Sequence, residues 1–340
     1  MLALALLACA APLGDEAVLL TGWSYAWEQL SHRISYLEVG VGEDASLALG
    51  LVGGDWSTGA TYADTPMYRV RYQRVRGADV PVLRGSAWLV LGPEPGGTAT
   101  IELDVAGIPE DAELTAILNG FSIDTDVPRP EGYPEDYDPG HGYTSNGFAF
   151  ALGEVDRDGD RARVDVEATV RWGPQDRDDM NAAIPHAETA VRVDVAVIAA
   201  PYAAERLALA AESDPPHDEK VYSEQPPMVL DAAFAGGAPE GIVGWRSFDL
   251  LLDPVGADAG QGDYLRAFGV ELAPGEDGRG TFRGEVTATL STSSLLELTD
   301  PRVAFAGELV RVGADDVLAE HWLVEGSHPT GVARTPPPAR

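Results

Sequence analysis

Residues 162–172 read ARVDVEATVRW. Ala162, Val164, Val166, Ala168, Val170 and Trp172 fall on one side of an extended chain, and Arg163, Asp165, Glu167, Thr169 and Arg171 on the other, because successive side chains of a strand point to opposite faces. This is a half-buried β-strand. The alternation recurs with Leu37, Val39 and Val41, with Leu47, Leu49 and Leu51, and with Ile101, Leu103 and Val105. It returns with Val191, Val193, Val195 and Val197, and again with Phe282, Val286, Ala288 and Leu290. Gly, Pro and Asp fill the stretches between, as antiparallel sheets require at their turns. The 38 glycines and 25 prolines work against long helices, since both residues interrupt them. The expected fold is therefore all-β and mainly antiparallel, built as β-sandwich or jelly-roll-like layers.

Two stretches allow short helices. Trp27, Leu30, Ile34 and Leu37 stand three and four apart behind a possible N-cap at Ser24, although Leu37 also belongs to a strand pattern. Residues 203–212, AAERLALAAE, are rich in strong helix formers,. Periodicity stops at 212–227, ESDPPHDEKVYSEQPP, where Pro-Pro pairs bracket a charged run of the kind that stays extended and solvated. A linker there divides the chain into a larger β domain at 15–211, a jelly roll or two fused sandwiches, and a sandwich of immunoglobulin-like size at 228–328. Residues 329–340, which include TPPPAR, form an expected tail,.

A chain of 340 residues with 45% hydrophobic content can bury its cores without disulfides or metals,. Its charge is lopsided, with 55 Asp and Glu against 23 Lys and Arg and a net charge of -32. Such a surface repels phosphate backbones, and no basic run offsets it locally, so nucleic acid is excluded as a partner. The acidity speaks first to solubility and second to attraction for cations or basic partners.

The chain opens MLALALLACAAPLGDE, and its one cysteine, Cys9, closes the apolar run Leu6-Leu7-Ala8. These four residues resemble the lipobox of bacterial lipoproteins, with a leucine three before and a small residue one before the cysteine. The resemblance implies that residues 1–8 are a signal peptide, that Cys9 takes a diacylglyceryl group and becomes the first mature residue, and that 9–14 form a lipidated tether. The run is shorter than a full export signal and has no Lys or Arg before it, so a fuller start is expected upstream. Several acyl chains on one residue would hold the protein stably at a membrane, which a single chain does not. Ala10 in place of an aspartate after the cysteine leans the expected location toward the outer membrane or cell surface.

The sharpest local pattern for a ligand is Asp156-Arg157-Asp158-Gly159-Asp160. Asp156, Asp158 and Asp160 could offer Ca²⁺ the several oxygens that it needs, with Glu167 at the twelfth position. Arg161 stands where the EF-hand needs glycine, however, and Asp158-Gly159 between two strands is itself a hairpin signal. The hairpin is the favoured reading. Residues 124–145 form the longest stretch without periodicity, and long loops in compact domains commonly carry function. Tyr133, Tyr137 and Tyr143 could stack on a sugar ring or peptide, and Asp136 and Asp138 could accept hydrogen bonds or bind a cation. The alternative is an acidic, Pro-rich excursion that binds nothing.

No zinc pair, nucleophile elbow, phosphate loop or dinucleotide fingerprint is present,. The expected function is accordingly that of an exported, lipid-anchored envelope module that binds a protein or glycan, or is structural, without catalysis. The competing expectations are a secreted carboxylate-based glycan hydrolase and a calcium-binding adhesive module. Fold alone does not choose among them.

Overall fold

The strand read first is β11, Arg161–Trp172, in a computed structural model that describes residues 4–5, 16–31, 33–42, 46–54, 61–62, 67–76, 80–91, 96–124, 145–172, 189–201, 203–213, 228–234, 241–254, 263–274, 281–292, 301–313 and 318–327. Ala162, Val164, Val166, Ala168 and Val170 are buried, while Arg163, Asp165 and Glu167 between them are exposed. The described residues contain strands and no helix, and every strand pair is antiparallel.

Three sheets result. Sheet I runs in the order β1 (Leu4–Ala5), β7 (Val82–Leu91), β12 (Thr189–Ala200), β9 (Glu113–Asp124), β3 (Arg33–Val41), β4 (Leu47–Gly54), β5 (Thr61–Tyr62). Sheet II runs β13 (Glu205–Ser213), β18 (Pro301–Gly313), β15 (Gly241–Pro254), β10 (Ser145–Asp158), β11, β8 (Gly96–Asp104). Sheet III runs β14 (Met228–Ala233), β17 (Thr281–Thr292), β16 (Asp263–Pro274), β2 (Glu16–Ser31), β6 (Met67–Arg76), β19 (Leu318–Ser327).

This order corrects the expected division of the chain. β15 of residues 228–328 pairs with β10 of residues 15–211, β16 pairs with β2, and β19 pairs with β6. A cut at 212–227 therefore parts no sheet from another. The two short helices are also replaced by strands. Residues 24–31 fall in β2, residues 33–37 in β3 and residues 205–212 in β13. In β13 the alternation of Leu207, Leu209 and Ala211 places these three against the core while β18 supplies the hydrogen bonds. Pairing and burial outweigh the helix propensity of the alanines, which is a weak preference.

The core explains why three sheets hold together. Trp23 of sheet III lies 5.4 Å from Phe121 of sheet I, 6.0 Å from Phe148 of sheet II and 5.4 Å from Phe268 of its own sheet, ring centre to ring centre. Phe150 and Phe248 complete the cluster. A second apolar cluster lies among Leu19, Val75, Val82, Ile117, Ile198, Ile242 and Val310, which again come from all three sheets. Between these clusters β12 changes character: Val191 to Val195 alternate with partly exposed residues, whereas every residue from Val195 to Ala200 is buried. That half of the strand is covered on both faces, which matches its continuous apolar run.

Polar side chains stitch the sheets where backbones meet. The Gln73 amide donates to the Val243 carbonyl and accepts from the Val243 N–H at 3.3 Å, as a strand neighbour would. Asn119 accepts from the Leu20 N–H at 3.0 Å and donates to the Val41 carbonyl at 3.1 Å. The Trp245 indole donates to the Thr21 carbonyl at 3.0 Å. Each satisfies a buried main-chain group that no ladder reaches.

Candidate functional site

Strand register places many chain reversals at one end of sheets I and II. Asp124, the last residue of β9, is paired with Ala190 at the start of β12, and Thr189 is paired with Leu91 at the end of β7. Ser145, the first residue of β10, is paired with Trp172 at the end of β11, and Pro254 with Pro301. Phe121 and Phe148, each three residues from those ends, have ring centres 5.8 Å apart across the core. Gly96 is paired with Thr169 near the same end, so the strand ends that flank residues 92–95, 125–144 and 173–188 all lie there. Tyr133, Tyr137, Tyr143, Asp136 and Asp138 belong to the second of these stretches and lie outside the described residues, as does Cys9. Leu4 and Ala5, within the stretch read as a signal peptide, are paired with Trp88 and Ala87 of β7.

The expected calcium residues sit at the opposite end. Asp158 and Arg161 close a two-residue hairpin through Gly159, whose φ of 59° is one that glycine adopts without strain,. Asp156, Asp158 and Asp160 are exposed there. The Arg157 guanidinium ties the turn down by donating to the carbonyls of Ile108 and Pro109 at 2.7 and 2.6 Å. Among the described residues no three His, Cys, Asp or Glu side chains gather in a way that could hold a metal ion.

The charged groups brought together by the fold lie elsewhere, on the sheets. On sheet I, Arg192 Nη2 is 2.9 Å from Glu38 Oε1 and 3.2 Å from Asp194 Oδ2. The Tyr36 hydroxyl donates to the other Glu38 oxygen, and the Tyr25 hydroxyl donates to the Glu38 carbonyl at 2.6 Å while accepting from Gly50 N–H at 3.3 Å. Burial pushes the Tyr25 phenol well above its ordinary value, so it stays protonated. Desolvation raises the Asp194 carboxyl, and Arg192 pulls in the other direction without cancelling it. Burial works against the charge on Arg192, but Asp194 and Glu38 outweigh it and raise the guanidinium further. Gly40 and Gly120 lie beside Asp194, and a Cβ on Gly120 would come within 2.9 Å of Asp194 Oδ2 and of Gly40 Cα.

Sheet III carries a parallel arrangement. Glu271 receives Arg71 Nε at 2.6 Å, Arg69 Nη1 at 3.3 Å and the Ser24 hydroxyl at 2.8 Å. Close by on β19, His321 is held below its ordinary value by burial and by the charge of Arg71. On the outer side of sheet II, Glu154 receives Arg206 Nη2 at 2.6 Å and Arg246 Nη2 at 2.8 Å. The Arg206 hydrogen bond leads in holding this carboxyl down at about 2.

Glu154, held low by two arginines, is a weak base and a poor nucleophile,, and the ion pairs of Glu38 with Arg192 and of Glu271 with Arg71 act as struts that join strands of one sheet,. None of Glu38, Arg192, Asp194 or Glu271 stood out in the sequence. Each occupies the polar phase of a strand, as between Val191, Val193 and Val195, and a period of two marks such a phase as solvent-facing whether or not another layer covers it. Comparison with protein families, with curated proteins and with solved structures found no match.

Proposed function

We propose that this chain is an exported, lipid-anchored β-sheet module of the bacterial cell envelope that binds a protein or glycan partner, or serves structurally, without catalysis. The observation that carries the reading is the convergence of strand ends: in a scaffold of three sheets, the strands that flank 125–144 and 173–188 end side by side. Connections mounted on a rigid scaffold can be specialised for recognition without loss of strand pairing. The arginine-held carboxylates fit a structural role for the sheets themselves. Cys9 supplies the membrane attachment, and Tyr133, Tyr137 and Tyr143 with Asp136 and Asp138 supply the contact surface.

The test is a pull-down from envelope extracts and a glycan panel with residues 15–340, run beside the variant in which Tyr133, Tyr137 and Tyr143 are all alanine. The expected outcome is a partner whose affinity falls by roughly 1–3 kcal/mol in the triple variant, with an unchanged melting temperature. Normal binding by the variant, or its unfolding, would make 125–144 scaffold and sink the assignment. In parallel, Cys9→Ala should abolish partition of the full chain into detergent.

A further inference from the structure

Sheet edges carry unpaired N–H and C=O groups that can recruit another strand, and proteins ordinarily blunt them with charge, proline, bulges or shortness. The edges of this molecule differ in that respect. β1 and β5 are two residues each. The exposed side chains of β13 are Glu205, Arg206, Ala208, Ala210 and Glu212, charged or small. β19 is blunted by charge alone, at Glu320 and Glu325. It is ten residues long, contains no proline, and pairs with β6 in unbroken register. Two of the three large apolar side chains that are exposed among the described residues lie at its centre, Trp322 at 43% and Leu323 at 37%.

Being adjacent, Trp322 and Leu323 project to opposite faces of sheet III. Trp322 stacks on Tyr72 with ring centres 6.5 Å apart and an interplanar angle of 6°, and carries the Arg74 guanidinium 4.9 Å from its ring. Glu320 shares the Trp322 face and Glu325 the Leu323 face. Each is paired with a rim arginine, Arg76 at 3.7 Å and Arg69 at 2.7 Å, yet 36% and 53% of their side chains stay exposed. Both faces of this strand, outermost in sheet III among the described residues, thus offer one apolar residue and, two positions outward, one accessible carboxylate.

We propose that β19 is an acceptor edge for an extended, basic peptide strand, which joins sheet III through main-chain hydrogen bonds. A strand laid along Glu320 to Glu325 meets, in order, a carboxylate, His321, the two exposed apolar residues, the partly buried Val324 and a carboxylate. The complementary pattern is Lys-Thr-Val-Val-Thr-Lys, which reads alike in both chain directions. Main-chain bonds supply affinity in such additions and the alternate side chains supply selectivity. A second copy of this chain is disfavoured as the occupant, because each copy carries a net charge of -32 and like-charged bodies repel. The site uses none of the residues at 125–144.

The experiment uses the full chain and a fluorescent peptide containing Lys-Thr-Val-Val-Thr-Lys, followed by anisotropy and by hydrogen exchange. Saturable binding is expected, at least about tenfold weaker for the Glu-Thr-Val-Val-Thr-Glu peptide and progressively weaker with added salt. Trp322→Ala and Leu323→Ser should each weaken it by about tenfold, whereas the Tyr133, Tyr137 and Tyr143 triple variant should bind normally. On the unaltered chain, amides of β19 that point away from β6 should slow in exchange when the Lys peptide is added, a readout that survives if a variant fails to fold. Equal binding of the two peptides, protection at β13 or β8 instead, or normal binding by both β19 variants would overturn the proposal. So would a concentration-dependent dimer that Leu323→Lys dissolves, since a second copy would then own the edge.

Discussion

Glu271 in sheet III and Glu154 on sheet II are each held by two arginines, but their surroundings differ. The Glu271 side chain is 3% exposed and that of Glu154 is 69% exposed. Where water is excluded, removing one partner strands a charge that nothing else solvates, whereas at the surface water takes the partner's place. The same pair chemistry is therefore part of the scaffold in sheet III and an accessory on sheet II. Arg192 with Glu38 and Asp194 stands nearer to the first case.

The largest expected effect follows from that contrast. Arg71→Met should destabilise the protein by about 3 kcal/mol, read from denaturant midpoints at constant slope. A loss below about 1 kcal/mol would mean that Arg69 and Ser24 suffice for Glu271 and that the two regions are alike after all. Next comes Gly120→Ala, whose methyl group would press on Asp194 Oδ2, Gly40 Cα and the Val39 carbonyl, all at 2.9 Å. About 2 kcal/mol is expected for such overpacking, and a tolerated alanine would show that the strands beside Arg192 and Asp194 can separate freely.

The smallest effect concerns pH and has opposite signs in the two regions. The Glu154 carboxyl is lowered from 4.5 to about 2 in the folded state, so its contribution is present above pH 4.5 and is lost as pH falls toward about 2. The Asp194 carboxyl is raised, so its contribution is complete below the ordinary carboxylate range and fades as pH rises through the raised value. Glu154→Gln should remove less than about 1 kcal/mol at neutral pH, because the group is well solvated, and should flatten the acid limb of the stability curve. Asp194→Asn should change the curve in the other direction. Stability measured between about pH 2 and 7 for the two variants checks the signs, and matching slopes would dissolve the distinction.

Legibility in the sequence followed the range of the interaction. The hairpin at Asp158-Gly159 was readable because a turn is chosen by adjacent residues, and the pairing of Asp158 with Arg161 bears that reading out. The alternation of ARVDVEATVRW determined a strand, and its recurrence determined an all-β chain, because a period of two is written in neighbouring positions. The short helices expected around 24–37 and 203–212 failed because local propensity yields to strand partners and a core face. Pairing of β16 with β2 joins positions more than two hundred residues apart, and such a contact leaves no mark on local periodicity. For that reason the tertiary structure alone decided that 228–328 shares sheets with 15–211, that Glu271 and Glu38 are sealed while Glu154 is open, and that Trp322 and Leu323 lie on the outermost described strand of sheet III.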